Sequence, residues 1–141
     1  MGFVDYEWAP RSSSYVQDPP AYVLARIYYP SMRAVREEAA AGGEDAWQGR
    51  SHWIPSPAYY PGYGYYLKMP WYISSPLFRL VAGNTPIWAV ENAPVLKGEG
   101  AEFGTPLVIF SHGLAGIRTT YSTLCTDLAS HGYIVAAIEH R

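Results

Sequence analysis

Residues 106–139, PLVIFSHGLAGIRTTYSTLCTDLASHGYIVAAIE, decide the fold that this sequence predicts. The run from Leu107 to Phe110 is continuously apolar, which predicts a strand covered on both faces, as in a parallel sheet. Residues 133–139 form a second apolar run and predict another buried strand. The segment between the runs is short and predicts a helix, so the three elements form a βαβ unit with parallel strands and a right-handed crossover. The predicted class is therefore α/β.

The spacing of apolar residues predicts the helix of this unit. Five residues recur three and four positions apart and so share one helix face: Tyr121, Leu124, Cys125, Leu128 and Ala129. Thr119 or Thr120 is the predicted N-terminal cap, and Gly132 ends the helix. We expect Cys125 to be a core residue. His131 is favoured at the C-terminus of the helix by the helix dipole, which predicts a structural role.

The sequence before this unit predicts fewer regular elements. Residues 1–20 are polar and interrupted by proline, so we expect an irregular lead-in there. Residues 22–29 predict an outer, antiparallel strand, because the face that carries Leu24, Arg26 and Tyr28 is the wetter of its two faces. Residues 33–50 predict a short helix or a surface insertion, and residues 84–105 a polar connection.

Proline and aromatic residues dominate residues 53–72 so strongly that no regular element is expected to persist there. The aromatic side chains could dock on a lipid surface or hold a choline headgroup. In the alternative, which we favour, the tyrosines pack over the sheet. Residues 75–83 predict a helix with Pro76 in its first turn and Gly83 at its end. The predicted apolar face of that helix consists of Leu77, Leu80 and Val81.

Composition excludes several classes of protein. The 141 residues include 10 basic and 12 acidic side chains, and the resulting net charge of -2 does not indicate a basic surface that would bind nucleic acid. One cysteine excludes an intramolecular disulfide and a cysteine-based zinc site, and the four histidines form no ligand cluster, so neither a metal nor a cofactor is predicted. The first residues lack a basic start and an apolar stretch, so no signal peptide is predicted and a cytoplasmic location is expected.

The segment FSHGLAG at 110–116 follows the first strand of the βαβ unit, where open α/β sheets bind ligands. In hydrolases, a His-Gly pair after a strand supplies backbone N–H groups that stabilise a developing oxyanion. Gly113 would allow the tight turn and Leu114 would present its amide; the alternative is an ordinary turn in which glycine permits an unusual φ. Ser111 is not expected to be a nucleophile, because adjacent strand residues point to opposite faces. His112 is expected to anchor the loop rather than to act as a base.

Residues 105–141 resemble the corresponding stretch of the platelet-activating-factor acetylhydrolases, which are serine-dependent α/β-hydrolases that remove short acyl groups from the sn-2 position of phospholipids. Upstream segments that resemble the same family are LARIYYPS (24–31), WIP (53–55) and ENAPVL (91–96). The family usually has Gly-Ala after its His-Gly-Leu, whereas this chain has Ala115-Gly116. Residues 33–50 also form a longer segment than is usual.

The resemblance implies that residues 21–141 are the N-terminal portion of an α/β-hydrolase domain with a mostly parallel sheet. It implies hydrolysis of the sn-2 acetyl ester of platelet-activating factor and related phospholipids. The Leu114 N–H would lie in the oxyanion hole, supported by Gly113 and His112. The sequence has no G-x-S-x-G, so the chain is expected to end before the nucleophile and its Asp and His partners. We therefore expect residues 1–141 to lack turnover and to fold poorly by themselves.

Two other functions are compatible with these residues. One is a related α/β-hydrolase that acts on other short-chain esters or on polyesters. The other is an inactive, truncated protein that only binds lipid surfaces, for which residues 53–72 are the supporting feature. Glu139, His140 and Arg141 follow the second parallel strand, and the resemblance marks them as typical of the family. We predict that they form a structural ion pair.

Overall fold

The computed structural model describes residues 1–8, 23–31, 50–96 and 104–139, and all structural statements below refer to these ranges. The strands are β1 (Gly2–Trp8), β2 (Val23–Tyr29), β3 (Arg50–His52), β4 (Pro86–Glu91), β5 (Leu107–Ser111) and β6 (Ile134–Glu139). The helices are a 3₁₀ turn (Pro57–Tyr59), α1 (Tyr60–Tyr66), α2 (Trp71–Val81) and α3 (Ser122–Ser130). No helix within the described ranges has both the length and the apolar character needed to cross a bilayer.

The described strands form one mixed sheet in the order β3-β4-β1-β2-β6-β5. β5 and β6 are parallel neighbours joined through α3, which confirms the predicted βαβ unit and the α/β class. β1 and β4 are also parallel, whereas β1–β2, β2–β6 and β3–β4 are antiparallel. The described sheet is therefore mixed rather than mostly parallel.

β2 is antiparallel to its neighbours, as predicted, but it does not lie at the outside of the sheet. It lies between β1 and β6 and forms hydrogen bonds with both. Arg26, on the face expected to be wetter, is only 3% exposed, and Tyr28 on the same face is fully buried. The prediction failed because Arg26 lies opposite Asp5 of β1, and this cross-strand partner allows a charged side chain to be buried.

β1 corrects the expectation that residues 1–20 form an irregular lead-in. Residues 2–8 pair with β2 along their whole length, and residues 9–20 lie outside the described part of the chain. Phe3 is fully buried in the main core, and Asp5 on the same face pairs with Arg26. Asp5 is one of the acidic residues that made this stretch look irregular, and Arg26 of β2 neutralises its charge.

Residues 53–72 form more regular structure than their prolines suggested. They contain the 3₁₀ turn, α1 and the start of α2, because Pro57 and Pro61 occupy first-turn positions, where the absent N–H has no helical partner. α2 confirms the helix predicted for 75–83, but it begins at Trp71, so that Pro76 lies in its interior. Its predicted apolar residues, Leu77, Leu80 and Val81, are exposed, whereas Phe78 and Ala82 pack against Ile54 and Tyr60.

Two connections contain strands that the sequence analysis missed. Residues 84–105, expected to be a polar connection, include β4, whose Ile87 and Ala89 are buried in the main core. β3 begins at Arg50, and the rest of the segment predicted at 33–50 lies outside the described residues. β3 has only three residues, and β4 was obscured by the polar and proline residues around it.

α3 packs against the sheet, but only part of its predicted face is buried, because Tyr121 and Leu124 are 43% and 45% exposed. Cys125 and Ala129 are fully buried and contact a core that includes Phe3, Tyr28, Val135 and Ala137. Gly132 follows the helix with a φ of +92°, which confirms the predicted end. The predicted caps are wrong, because the cap position is Tyr121 and the Thr120 hydroxyl accepts from the Ile117 N–H instead. His131 Nδ1 lies 2.8 Å from the Asp127 carbonyl oxygen at the helix C-terminus.

β5 lies at one end of the described sheet, and its two faces differ. Val108 and Phe110 are half-buried against the main core, on the face that α3 covers. Leu107 and Ile109 point to the other face and are 62% and 66% exposed. The expectation that both faces of this strand are covered is therefore wrong for the described part of the chain.

Candidate active site

The loop that connects β5 to α3 carries the predicted site residues at the carboxyl edge of the two parallel strands. Its tip is a tight turn in which the Gly116 N–H donates to the Gly113 carbonyl oxygen at 3.0 Å. Leu114 is at the tip, with its side chain 92% exposed. No hydrogen bond of the described residues uses the Leu114 N–H. This backbone donor is therefore available at the edge of the sheet where α/β enzymes bind their ligands.

Ala115, rather than Gly113, adopts the unusual backbone conformation of this turn. Ala115 has a φ of +60°, and Gly113 is not among the described residues with a positive φ. A Cβ on Gly113 would have the Tyr121 hydroxyl, at 3.9 Å, as its nearest neighbour. A Cβ on Gly116 would lie 3.0 Å from the Gly113 carbonyl oxygen and from the His112 ring. The glycine that the turn needs for space is Gly116, and the unusual φ expected of Gly113 is found at Ala115 instead.

His112 packs against this turn. Its Nδ1 lies 3.0 Å from the Gly113 carbonyl oxygen, and its side chain is half-buried. Ser111 is exposed at the end of β5. The contact of His112 agrees with loop support, but the roles assigned to His112, Gly113 and Leu114 stay predictions.

An apolar cavity of about 400 Å³ adjoins the turn. Its walls come from the turn itself and from the first two helical elements of the 53–72 segment: Ala58, Tyr59, Gly62, Tyr63, Tyr66, Leu114, Ala115, Gly116 and Ile117. A larger cavity of about 620 Å³ lies between β3 and α2 and shares no lining residue with the loop. We take the smaller cavity as the candidate substrate pocket, because it is the one that contains Leu114.

A buried group of charged residues lies at the same edge of the sheet and was missed by the sequence analysis. Arg26 binds both carboxylate oxygens of Asp5 at 2.7 and 2.6 Å. Arg118, in the loop, binds the same carboxylate at 3.2 and 3.3 Å and donates to Glu139 at 2.5 Å. Glu139 thus lies in an ion pair, but with Arg118, a partner that was not predicted, while His140 and Arg141 lie outside the described residues. Buried cross-strand charges give no local sequence signal, which explains why this group was missed.

Electrostatics of the site follow from this arrangement. Burial alone would raise the pKa of Asp5, but hydrogen bonds and positive charge from Arg26 and Arg118 outweigh it and hold that pKa below its usual value. Arg118 stays charged, because its two carboxylate partners raise its pKa against the effect of burial. Burial raises the pKa of the Cys125 thiol to about 11, so this cysteine is a protonated core residue rather than a nucleophile.

Known proteins with similar sequences identify the family. The family model described as platelet-activating factor acetylhydrolase, isoform II, matches residues 17–141. The chain belongs to this family. The matched region contains the candidate pocket and all of the described loop.

Relatives within the platelet-activating factor acetylhydrolase family are much longer than this chain. The platelet-activating factor acetylhydrolases of Canis lupus familiaris and Bos taurus are each 39% identical over 116 residues, which is 82% of this chain and 22% of either relative. A putative phospholipase A2 of Schizosaccharomyces pombe is 50% identical over 52 residues, which is 34% of this chain and 12% of that protein. The chain thus spans about a fifth of the length of the mammalian acetylhydrolases.

A solved structure supports the fold. The ferulic acid esterase from Streptomyces cinnamoneus superposes with a TM-score of 0.55 and 24% sequence identity, over 99% of this chain and 33% of that one. At this identity the likeness shows the α/β fold alone. The assignment to the acetylhydrolase family rests on the sequence comparisons.

Proposed function

We propose that the complete protein to which this chain belongs hydrolyses the sn-2 short-chain ester of phospholipids such as platelet-activating factor. The observation that carries this proposal is the turn at 113–116, which presents an unused Leu114 N–H at the carboxyl edge of β5, beside an apolar cavity. Membership of the acetylhydrolase family and the names of the relatives support the choice of a phospholipid ester.

The proposed reaction is acyl transfer through a serine that lies outside residues 1–141. That serine, activated by a histidine and an aspartate, attacks the ester carbonyl carbon, and the carbonyl oxygen acquires negative charge. The Leu114 N–H donates a hydrogen bond to this oxygen, and a second backbone N–H follows the serine. The histidine then protonates the leaving alcohol, and water hydrolyses the acyl-enzyme. No step in this scheme requires a cofactor.

The cavity beside Leu114 suits the acyl part of such a substrate. Its walls are mainly apolar and include Tyr63, Tyr66 and Ile117. An apolar cavity stabilises an acyl group and excludes water from the ester, which strengthens the hydrogen bond to the developing oxyanion. This arrangement favours an ester of an apolar acid over a sugar or a nucleotide.

Replacement of Leu114 tests the proposal in the complete protein. Leu114→Pro removes the N–H donor, and loss of one oxyanion donor typically lowers kcat by ~10²–10³, or about 2.7–4 kcal/mol. Leu114→Ala is the matched control, because it keeps the donor and changes only the exposed side chain. The measurement is kcat on a soluble sn-2 acetyl ester, after circular dichroism has shown that both variants are folded. A folded Leu114→Pro enzyme with the wild-type kcat would remove this N–H from the mechanism.

Acyl-chain preference separates the proposed substrate class from the related esterase. We expect kcat/KM to be highest for acetyl esters of glycerophospholipids and to fall as the acyl chain lengthens. Higher kcat/KM on polyesters or on aromatic esters than on any phospholipid would favour the alternative hydrolase. If the wild-type protein hydrolyses none of these esters, the result would favour a role limited to lipid binding.

Exposed aromatic residues of α1 and α2 support contact with a phospholipid surface as part of the same function. Trp71 is 69% exposed, its ring contacts the ring of exposed Tyr72, and Tyr65 of α1 is also exposed. Tryptophan and tyrosine are typical of membrane–water interfaces, and an exposed apolar patch of this kind marks an interaction surface. The alternative of tyrosines packed over the sheet does not describe these residues, although Tyr60 and Tyr63 do pack inward.

Vesicle binding tests this contact separately from catalysis. We expect the double variant Trp71→Ser with Tyr72→Ser to bind phosphatidylcholine vesicles at least tenfold more weakly than wild type and to keep kcat on a soluble ester. Thr123→Ser is the control for a substitution elsewhere on the surface, because Thr123 is an exposed residue of α3. Equal vesicle binding by wild type and the double variant would contradict the lipid-surface role.

A further inference from the structure

The buried charges of Asp5, Arg26, Arg118 and Glu139 have no part in the acyl transfer proposed above. The side chain of Arg118 is 8% exposed and that of Glu139 is 10% exposed, so both charges are largely removed from water. Desolvation makes a buried ion pair a weak source of stability compared with apolar packing of the same volume. A function in fixing geometry therefore accounts for this group better than a contribution to stability does.

Arg118 is the member of this group that belongs to the loop. It is two residues from Gly116, which closes the turn that presents the Leu114 N–H. Leu114 has almost no packing contacts of its own, because its side chain is exposed. The position of its N–H is consequently set by the residues that hold the base of the loop. Arg118 holds that base to two strands, through Asp5 of β1 and Glu139 at the end of β6.

Arg118 also contacts the wall of the candidate pocket. Its Nη1 donates to the Tyr59 hydroxyl at 2.5 Å, and its guanidinium lies over the Tyr59 ring at 5.8 Å from the centroid. Tyr59 lines the cavity together with Leu114, Ala115 and Ile117. One guanidinium group in the loop thus contacts two strands of the sheet, through Asp5 and Glu139, and one residue that lines the pocket, Tyr59. Its planar set of five donors suits this geometry, whereas a lysine ammonium does not reproduce it.

We propose that Arg118 is a positioning residue, which holds the Leu114 N–H and the Tyr59 wall of the pocket in one fixed relation through Asp5 and Glu139. The expected effect of Arg118 on catalysis rests on the proposed function, whereas its effect on the position of the loop does not. A reacting group displaced by about 1 Å commonly costs on the order of 10² in rate. Loss of the Arg118 anchor should therefore lower kcat on this scale. KM should change much less, because Tyr59 is the pocket-lining residue that Arg118 contacts and the other walls stay in place.

The decisive variant removes Arg118 without leaving an unpaired buried charge. Arg118→Met alone leaves Glu139 buried without its cation, so it is expected to be destabilised as well as slow. Arg118→Met combined with Glu139→Gln removes one charge of each sign and leaves the Asp5–Arg26 pair intact. We expect this double variant to regain most of the lost thermal stability, but its kcat to stay on the order of 10² below wild type.

Further variants of the complete protein serve as controls on a soluble acetyl ester. Arg79→Met removes an exposed arginine of α2 that does not line the pocket, and its kcat should equal that of wild type. Arg118→Lys keeps the charge without the planar donors and should give an intermediate kcat. In a Leu114→Pro background, Arg118→Met should lower kcat little further, because both changes act on the same N–H.

Hydrogen exchange gives a readout that is independent of catalysis. In the double variant, we expect the hydrogen-bonded amides of Gly116 and Ile117 to exchange at least tenfold faster than in wild type, while the amides of β6 change little. Recovery of kcat together with stability in the double variant would overturn the positioning role, and so would unchanged exchange at Gly116 and Ile117. Absence of ester turnover in wild type would instead refute the proposed function, and the exchange result would still decide whether Arg118 anchors the loop.

Discussion

At the scale of single residues, the turn beside the candidate pocket combines an alanine at positive φ with a glycine in a crowded position. A non-glycine residue in the left-handed region costs roughly 1–2 kcal/mol, and such conformations concentrate at functional sites. Ala115 has this conformation at the tip that presents Leu114. The family's usual Gly-Ala order would relieve the alanine but would place a Cβ at the crowded position of Gly116.

This geometry predicts opposite effects for two small substitutions. Ala115→Gly should raise the free energy of unfolding by about 0.5–1 kcal/mol, since relief of strain exceeds the added freedom of the unfolded chain. Gly116→Ala should lower it by about 1–3 kcal/mol, because the new methyl group would meet the His112 ring and the Gly113 carbonyl oxygen. Gly113→Ala, with open space around it, is the neutral control. Urea unfolding of the three variants is the measurement, and a stabilising Gly116→Ala would refute the packing argument.

Asp5 predicts how the stability of the protein depends on pH. Its pKa is lower in the folded state than in the unfolded state, so its contribution is complete above the ordinary carboxyl pKa and is lost as the pH falls through the lowered value. Asp5→Asn should be destabilised at pH 7 by on the order of 2 kcal/mol, less than the ~3–5 kcal/mol for a fully buried pair, because 30% of the Asp5 side chain is exposed. The difference from wild type should shrink below about pH 5. A difference that stays constant down to pH 3 would contradict the assigned pairing.

At the scale of elements, α3 is stabilised by the buried face that it presents to the sheet. Cys125 and Ala129 are fully buried there, and the pKa of the thiol is raised to about 11. At pH 8 the native thiol is therefore protonated as well as inaccessible, and we expect it to react with a disulfide reagent only when α3 separates from the sheet. Mass spectrometry of the Cys125 peptide would follow the reaction. Equal labelling rates in the native protein and in guanidinium chloride would show that α3 does not pack as described.

At the scale of the whole molecule, the described sheet ends at β5 with exposed apolar side chains. Leu107 and Ile109 present apolar side chains beside a strand edge, and such edges promote association unless they are covered or charged. We expect residues 1–141, expressed by themselves, to associate through β5. Light scattering should show that Ile109→Lys reduces this association. Thr123→Lys, which adds the same charge on α3, should not.

A monodisperse, monomeric sample of residues 1–141 with a sharp thermal transition would contradict this expectation. It would show that the described core is sufficient without any cover on β5. Suppression of association by Thr123→Lys to the same extent as by Ile109→Lys would indicate that net charge, rather than the strand edge, controls solubility.

The amino-acid sequence by itself determined the β5–α3–β6 unit, the buried positions of Cys125 and Ala129, the helical character of α2 and the place of the 110–116 loop at the edge of the sheet. These features depend on apolar spacing within a few turns or strand residues, so the local pattern contains them. The family resemblance likewise rested on contiguous motifs in the last third of the chain, and the sequence comparisons confirmed it.

Only the tertiary structure decided that β1 is a strand, that β2 lies inside the sheet and that Arg118 anchors its loop to Asp5 and Glu139. Asp5 and Arg118 are 113 positions apart in the chain. Polar residues in a strand look exposed until a partner from a distant segment neutralises them, because the cost of burying a charge depends on that partner rather than on the residue itself. The same holds for Ala115, whose positive φ is imposed by a turn closed between strand and helix and not by its own preference.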